Sequence, residues 1–273
     1  MKTWKKVVVS ILGLVALAGC GQSKTDTHKV KLGVVGDDTR VFDSLKDSLD
    51  KEGIQLEYVK FTDYNQPNQA LAQGEIDLNA FQHQVFLDKY NDQFKTDLVS
   101  IGNTVVAPLG IYSNKYKDIK DIPDNATVAI PNDVTNGGRA LILLESAGFI
   151  EVDDKAGITP TINDITAYHK PLKIKEMNAS QTARSLEDTD IAVINSGYAV
   201  DSGLNPTSDA LFLEPVDERS KPYVNIIVAK KEDKDNPIFA KIVTAYQQES
   251  TKKVIEETSK GASIAAWEQF GRK

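Results

Sequence analysis

The chain is poor in the side chains on which most thiol and metal chemistry rests. Its 273 residues include one cysteine, Cys20, and three histidines, His28, His83 and His169. A single thiol cannot close an internal disulfide, and so few imidazoles leave little with which to build a metal site. Basic residues are in deficit, 32 against 39 acidic, which argues against nucleic acid and against polybasic adhesion to anionic lipid. No apolar run reaches the roughly twenty residues that span a bilayer. The Gly-x-Ser-x-Gly elbow, the His-x-x-x-His pair, the Walker loop and the dinucleotide fingerprint are all missing. Asn136-Gly137-Gly138-Arg139 is glycine-rich but lacks the lysine and the spacing of a phosphate loop, and Glu75 with Asp77 reads as solvated surface. Neither catalysis nor a cofactor is expected.

What the chain does have begins at residue 1. Lys2, Lys5 and Lys6 precede an apolar run from Val7 to Ala18, which ends in Leu17-Ala18-Gly19-Cys20. A basic head, a short apolar middle and small residues at a cut site make a secretory leader. With the only cysteine at the cut, the phrase resembles a bacterial lipobox, in which Cys20 becomes the lipidated first residue of the mature chain. Removing residues 1–19 leaves 254 residues with 29 basic and 39 acidic side chains, a net charge of −10. That length supports one large or two medium domains with proper cores. Held by lipid rather than by surface charge, the protein is expected on the outer face of the cytoplasmic membrane. Residues 20–28 are small and polar and read as a flexible tether.

From Val30 onward, short apolar runs alternate with helical patterns. Strands are expected at Val30–Val35, Ile54–Phe61, Ile76–Ala80, Thr127–Ile130, Leu172–Met177, Ile191–Ile194 and Tyr223–Ala229. Helices are expected at Val41–Leu49, Pro67–Gln73, Gln82–Gln93, Gly137–Ala147 and Gln181–Glu187, with Pro237–Ser259 as one long helix or two short ones. Such alternation implies an α/β fold with mostly parallel sheet and helices on its faces. A second unit opens after the extended Thr104–Ser113, and two units so joined form a cleft at the carboxyl ends of their strands.

Several phrases converge on that cleft. Phe61-Thr-Asp-Tyr64 ends one strand and Asn79-Ala-Phe-Gln-His83 ends the next, placing aromatic side chains at the edge. Pro131-Asn-Asp-Val-Thr-Asn-Gly-Gly-Arg139 runs from a strand into a helix, with Arg139 expected in the first turn. A guanidinium beside free helix N–H groups suits a carboxylate. Asn195 and Asn225, at or within strands, offer both donor and acceptor, as an α-amino acid requires. Tyr64 and Phe81 give an apolar slot able to hold a thioether. More ordinary roles stand beside these. The aromatics also suit the core, His83 a helix start bonded to backbone, Arg139 a partner for a surface acid, and the asparagines strand-end bonding. Tyr198 and Asn103 rank below the others. A metal-capture site would need His83 and His169, from different units, to converge with carboxylates.

Taken in order, these phrases, together with Pro67-Asn68-Gln-Ala-Leu71, Gly102-Asn103-Thr104 and Pro222-Tyr-Val-Asn225, resemble the NlpA family of substrate-binding lipoproteins from Val30 to about Trp267. That family is best known as the methionine-binding component of a bacterial ABC importer. The resemblance implies a two-lobed periplasmic-binding-protein fold of type II with the ligand cleft between the lobes. Residues 29–107 and about 226–273 would form lobe 1, and about 108–225 lobe 2. It further implies that Arg139 binds the ligand carboxylate, with Asn136 near it, and that Asn195 and Asn225 hold the ammonium and carboxylate. Tyr64, Phe81 and His83 would line the side-chain slot. Phe86 and Val134 stand where the family often has tyrosine and proline. The implied partners are methionine and a membrane permease, with the receptor itself a monomer. The alternatives are another apolar amino acid, a short methionine-containing peptide, or a surface lipoprotein for adhesion or envelope structure.

Overall fold

The computed structural model describes residues 27–273. The leader, Cys20 and the tether as far as residue 26 lie outside the described residues. His28, expected in the tether, instead opens the first strand, where it sits opposite Ile54.

The strands in chain order are β1 (His28–Val35), β2 (Ile54–Phe61), β3 (Leu78–His83), β4 (Val99–Val106), β5 (Gly110–Tyr112), β6 (Ala126–Pro131), β7 (Ile150–Val152), β8 (Ile165–Tyr168), β9 (Leu172–Met177), β10 (Ile191–Ile194), β11 (Phe212–Leu213), β12 (Val224–Ala229) and β13 (Ile264–Ala265). They form a six-stranded sheet in the order β13-β4-β12-β3-β1-β2 and a five-stranded sheet in the order β11-β5-β10-β6-β9, with β7 and β8 as a separate pair. Each large sheet is the centre of one lobe. The chain passes between them twice, through residues 107–109 and 214–223.

These crossings correct the expectation of mostly parallel sheet. β1 runs parallel to β2 and β3, and β6 parallel to β9 and β10. On its return from the second sheet, however, β12 inserts antiparallel between β3 and β4. β13 is likewise antiparallel to β4, and β5 to both β10 and β11. Both sheets are therefore mixed.

Other differences have local causes. The strand expected at Ile76–Ala80 begins at Leu78 and runs on to His83, and its amides Asn79 and Gln82 are buried and hydrogen-bonded. The Asn68 amide donates to Gln82 Oε1 at 2.7 Å, and Asn79 Nδ2 donates to Asn68 Oδ1 at 2.9 Å. Two buried amides, Asn79 and Gln82, broke the apolar pattern without breaking the strand, with Asn68 of the neighbouring helix as their partner. The helix expected from Gly137 starts at Val134, capped by Asp133, whose Oδ1 accepts the Asn136 N–H at 2.9 Å. Arg139 thus falls in the second turn rather than the first. The two glycines that hid this start serve close packing: a Cβ on Gly138 would lie 2.8 Å from Thr159 Cα, and one on Gly137 2.8 Å from the Pro131 carbonyl oxygen.

Val41–Leu49 divides into helices Arg40–Asp43 and Lys46–Lys51, and Pro237–Ser259 into Pro237–Tyr246 and Glu249–Thr258. In place of the helix Gln181–Glu187 there are two 3-10 turns, Ala179–Gln181 and Arg184–Glu187. Each lobe has its own apolar core, one around Leu32, Ile54 and Ile242 and the other around Ile130, Leu141 and Val193. A third cluster, including Tyr112 and Tyr198, packs against Val35 and Tyr64 of the opposite lobe.

Candidate ligand site

A cavity of about 160 Å³ lies between the lobes. All seven residues singled out from the sequence, Tyr64, Phe81, His83, Asn136, Arg139, Asn195 and Asn225, line it. The first lobe supplies Tyr64 after β2, Phe81 and His83 at the end of β3, and Asn225 in β12 directly opposite His83. The second lobe supplies Asn136 and Arg139 from the helix Val134–Ser146, and Asn195 from the cap of the helix Ser196–Asp201 after β10.

His83 both caps a helix and faces the cavity. Its Nδ1 accepts the Phe86 N–H at 3.2 Å, so the neutral ring carries its hydrogen on Nε2. That Nε2 is buried with no partner among the described residues. Burial, and then the neighbouring Arg139 charge, push the imidazole pKa down to about 3. The site thus presents a donor that is neutral around pH 7. His83 sits edge-on to the ring of Tyr223, over which the Arg139 guanidinium lies 4.3 Å from the centroid. This places His83 at the Arg139 end of the cavity rather than wholly within an aromatic slot.

Arg139 is paired with an acid, but a sheltered one. Its Nε donates to Glu214 Oε1 at 2.8 Å, and its Nη2 donates to Glu214 Oε2 and, at 3.1 Å, to the Ala107 carbonyl. The two side chains are 2% and 16% exposed. Only Nη1 is left without a partner among the described residues, so a two-pronged hold on a ligand carboxylate is not available in this arrangement. Glu214 was missed from the sequence. The one signal was a lone acid among apolar neighbours in Leu211-Phe-Leu-Glu214-Pro215.

The asparagines form a short relay. Asn136 Nδ2 donates to both Asp133 carboxylate oxygens at 3.0 and 3.1 Å, and Asn136 Oδ1 accepts from Asn195 Nδ2 at 2.8 Å. Asn195 is thereby oriented, and its Oδ1 is left buried with no partner among the described residues. The polar end of the cavity therefore offers donors at Arg139 Nη1 and His83 Nε2 and an acceptor at Asn195 Oδ1. A ligand that carries a carboxylate and an ammonium on the same carbon matches this set.

The other end is aromatic. Tyr64 lies 5.8 Å from Phe81, 6.2 Å from Phe86 and 5.0 Å from Tyr198 between ring centroids. Tyr198, ranked low from the sequence, comes from the second lobe and donates to the Thr62 carbonyl at 3.4 Å. Gly36 has φ of +89°, and a Cβ there would meet the carboxylate of Asp201, which lines the cavity, at 2.6 Å. Asn103 lies elsewhere: its amide donates to the Gly271 carbonyl at 2.8 Å and anchors the C-terminal tail. His169 pairs with Glu151 on the surface, and no cluster of three metal-ligating side chains occurs among the described residues.

Residues 30–267 match the family model described as NlpA lipoprotein. The chain belongs to that family. It is 41% identical to the D-methionine-binding lipoprotein MetQ of Escherichia coli K12, over 95% of this chain and 96% of that protein. Among solved structures, it is similar to a nutrient-binding protein from Burkholderia cenocepacia bound to methionine, with a TM-score of 0.82, 41% identity and coverage of 87% of this chain and 99% of that one. It is also similar to the substrate-binding protein of a methionine transporter from Streptococcus pneumoniae, with a TM-score of 0.83, 42% identity and coverage of 88% and 96%. The two-lobed fold of NlpA substrate-binding proteins is therefore that of this chain, and these relatives are binding proteins rather than enzymes. No helix among the described residues is long and apolar enough to cross a membrane.

Proposed function

We propose that the chain is the lipid-anchored substrate-binding protein of an ABC importer, and that it captures methionine and hands it to a membrane permease. The observation that carries this reading is the set of unpartnered polar atoms at one end of the cavity. His83 Nε2, and Arg139 Nη1, which makes none of the Arg139 hydrogen bonds, would donate to the ligand carboxylate, and Asn195 Oδ1 would accept from its ammonium. Asn225 completes the polar rim. The thioether would lie against Tyr64, Phe81, Phe86 and Tyr198, where contact is apolar with a modest sulfur–aromatic gain. A volume of about 160 Å³ suits one small amino acid better than a methionine-containing peptide.

Ligand held this way touches both lobes, so binding would favour the closed state by its differential affinity for it. Residues 1–19 would be removed as the leader, and a lipid on Cys20 would hold the monomeric receptor on the extracytoplasmic face. In this reading lobe 1 comprises residues 29–107 and about 224–273, and lobe 2 about 108–223, so that Asn225, expected from the sequence at the end of lobe 2, belongs with β12 to lobe 1. Tethering would keep the receptor at high effective concentration beside its permease. A thermal-shift screen of the mature protein against single amino acids tests the reading: methionine is expected to give the largest rise in melting temperature. A larger rise with an acidic or basic amino acid would overturn it.

A further inference from the structure

We infer that Glu214 sets the charge of the cleft, acting through Arg139, and so makes the site select a zwitterion over a simple carboxylate. This rests on the reading of the cavity as an α-amino-acid site. Arg139 is the one cation lining the cavity among the described residues. Its charge is met at contact by Glu214, Nε to Oε1 at 2.8 Å with a second bond from Nη2 to Oε2. At such short range and with both side chains sheltered, the carboxylate cancels much of the guanidinium field inside the cavity.

Glu214 is also held independently of Arg139. Its Oε2 accepts the Leu109 N–H at 3.0 Å, and its own backbone N–H donates to the Leu109 carbonyl at 2.9 Å. Arg139 in turn donates to Ala107. The pair is thus anchored to both segments that cross between the lobes. The remaining charge on the lining is negative: Asp201, for which no ion pair is found among the described residues. His83 adds none, because burial keeps its ring neutral. A lone carboxylate entering this cleft meets no net positive charge. A zwitterion brings its own cation, which Asn195 Oδ1 can accept, and arrives neutral.

The test compares methionine with 4-(methylthio)butanoate, which is methionine without its ammonium, by titration calorimetry on the mature chain and on Glu214→Gln. The wild type is expected to bind methionine at least ~1,000-fold more tightly than the butanoate, a gap of about 4 kcal/mol. Glu214→Gln should narrow that ratio at least ~10-fold, with the butanoate binding more tightly than it does to the wild type. A scaffold residue would not change selectivity, so equal weakening of both ligands with an unchanged ratio overturns the inference. If Glu214→Gln does not fold, Glu214→Asp, which keeps the charge but draws it back, must narrow the ratio in the same direction by a smaller step. A wild type that fails to bind methionine at all would instead strike the amino-acid reading beneath.

Discussion

Tyr64 of the first lobe and Tyr198 of the second lie in ring contact across the cleft, with centroids 5.0 Å apart and planes tilted by 39°. The contact is supported on each side by the cluster that joins Val35 and Tyr64 to Ile194 and Tyr198. The two lobes thus meet through the protein's own side chains. An aromatic pair of this kind contributes about 0.5–1.5 kcal/mol beyond the area it buries.

Tyr198→Ala is accordingly expected to weaken methionine binding roughly 2- to 12-fold and to enlarge the scattering radius of the ligand-bound protein. Tyr198→Phe should be nearly neutral, because the hydroxyl contact with Thr62 is long at 3.4 Å. Scattering curves and calorimetry on the two variants check this. A loss in Tyr198→Phe equal to that in Tyr198→Ala would assign the effect to the hydroxyl instead.

Arg139→Ala should harm the fold as well as binding, since it leaves Glu214 sheltered and unpaired. Breaking such a pair from one side costs about 3–5 kcal/mol. Adding Glu214→Gln to Arg139→Ala should recover most of the melting temperature and none of the ligand affinity. Denaturation midpoints for the single and double variants separate the two effects. A single variant as stable as the wild type would mean that the pair is more open to solvent than its 2% and 16% exposures imply.

The neutral His83 has two consequences for pH. An unfolded imidazole takes up its proton near 6.5, whereas the buried one does not until about 3. The unfolded state therefore binds more protons throughout that window, and stability falls as pH drops from 6.5 towards 3, by roughly 3–5 kcal/mol from this group. His83→Gln should make the acid limb shallower there. Ligand affinity, in contrast, should be flat between about pH 5 and 8, because His83 does not titrate in that range. A step in affinity near pH 6.5 would contradict the assignment of a neutral Nε2–H donor.

Much of the site was legible because its residues lie at strand ends, where period-2 and period-3.6 patterns meet. Leu172–Met177 and Ile191–Ile194 have the same bounds in sequence and structure, since both are continuous apolar or alternating runs. The limits were chemical. Asn79 and Gln82 are polar by identity and core by environment, and only their mutual hydrogen bonds reveal it. Glu214 lies 75 positions from Arg139, and no local pattern announces a pair made through a chain crossing. Phe212–Leu213 and Ile264–Ala265 are two-residue strands, too short to carry a period.

The anchor yields a separate expectation. Cys20→Ser should remove the lipid acceptor and release the protein from membranes, while ligand binding by the purified chain is unchanged. Fractionation before and after a salt wash checks this. Retention of Cys20→Ser on the membrane would rule out the lipobox.

Methionine recognition by an apolar slot and a zwitterion-matched polar end is tested most directly by calorimetric titration of ligand-stripped protein with methionine, norleucine and glutamate. Norleucine, which replaces the sulfur with a methylene, is expected to bind roughly 10- to 200-fold more weakly than methionine, since one such group is worth about 1–3 kcal/mol. Glutamate should not bind measurably, because its second carboxylate would be buried among Tyr64, Phe81 and Phe86 without a counter-charge. Glutamate binding more tightly than norleucine would contradict the apolar slot, and the assignment of methionine would fall with it.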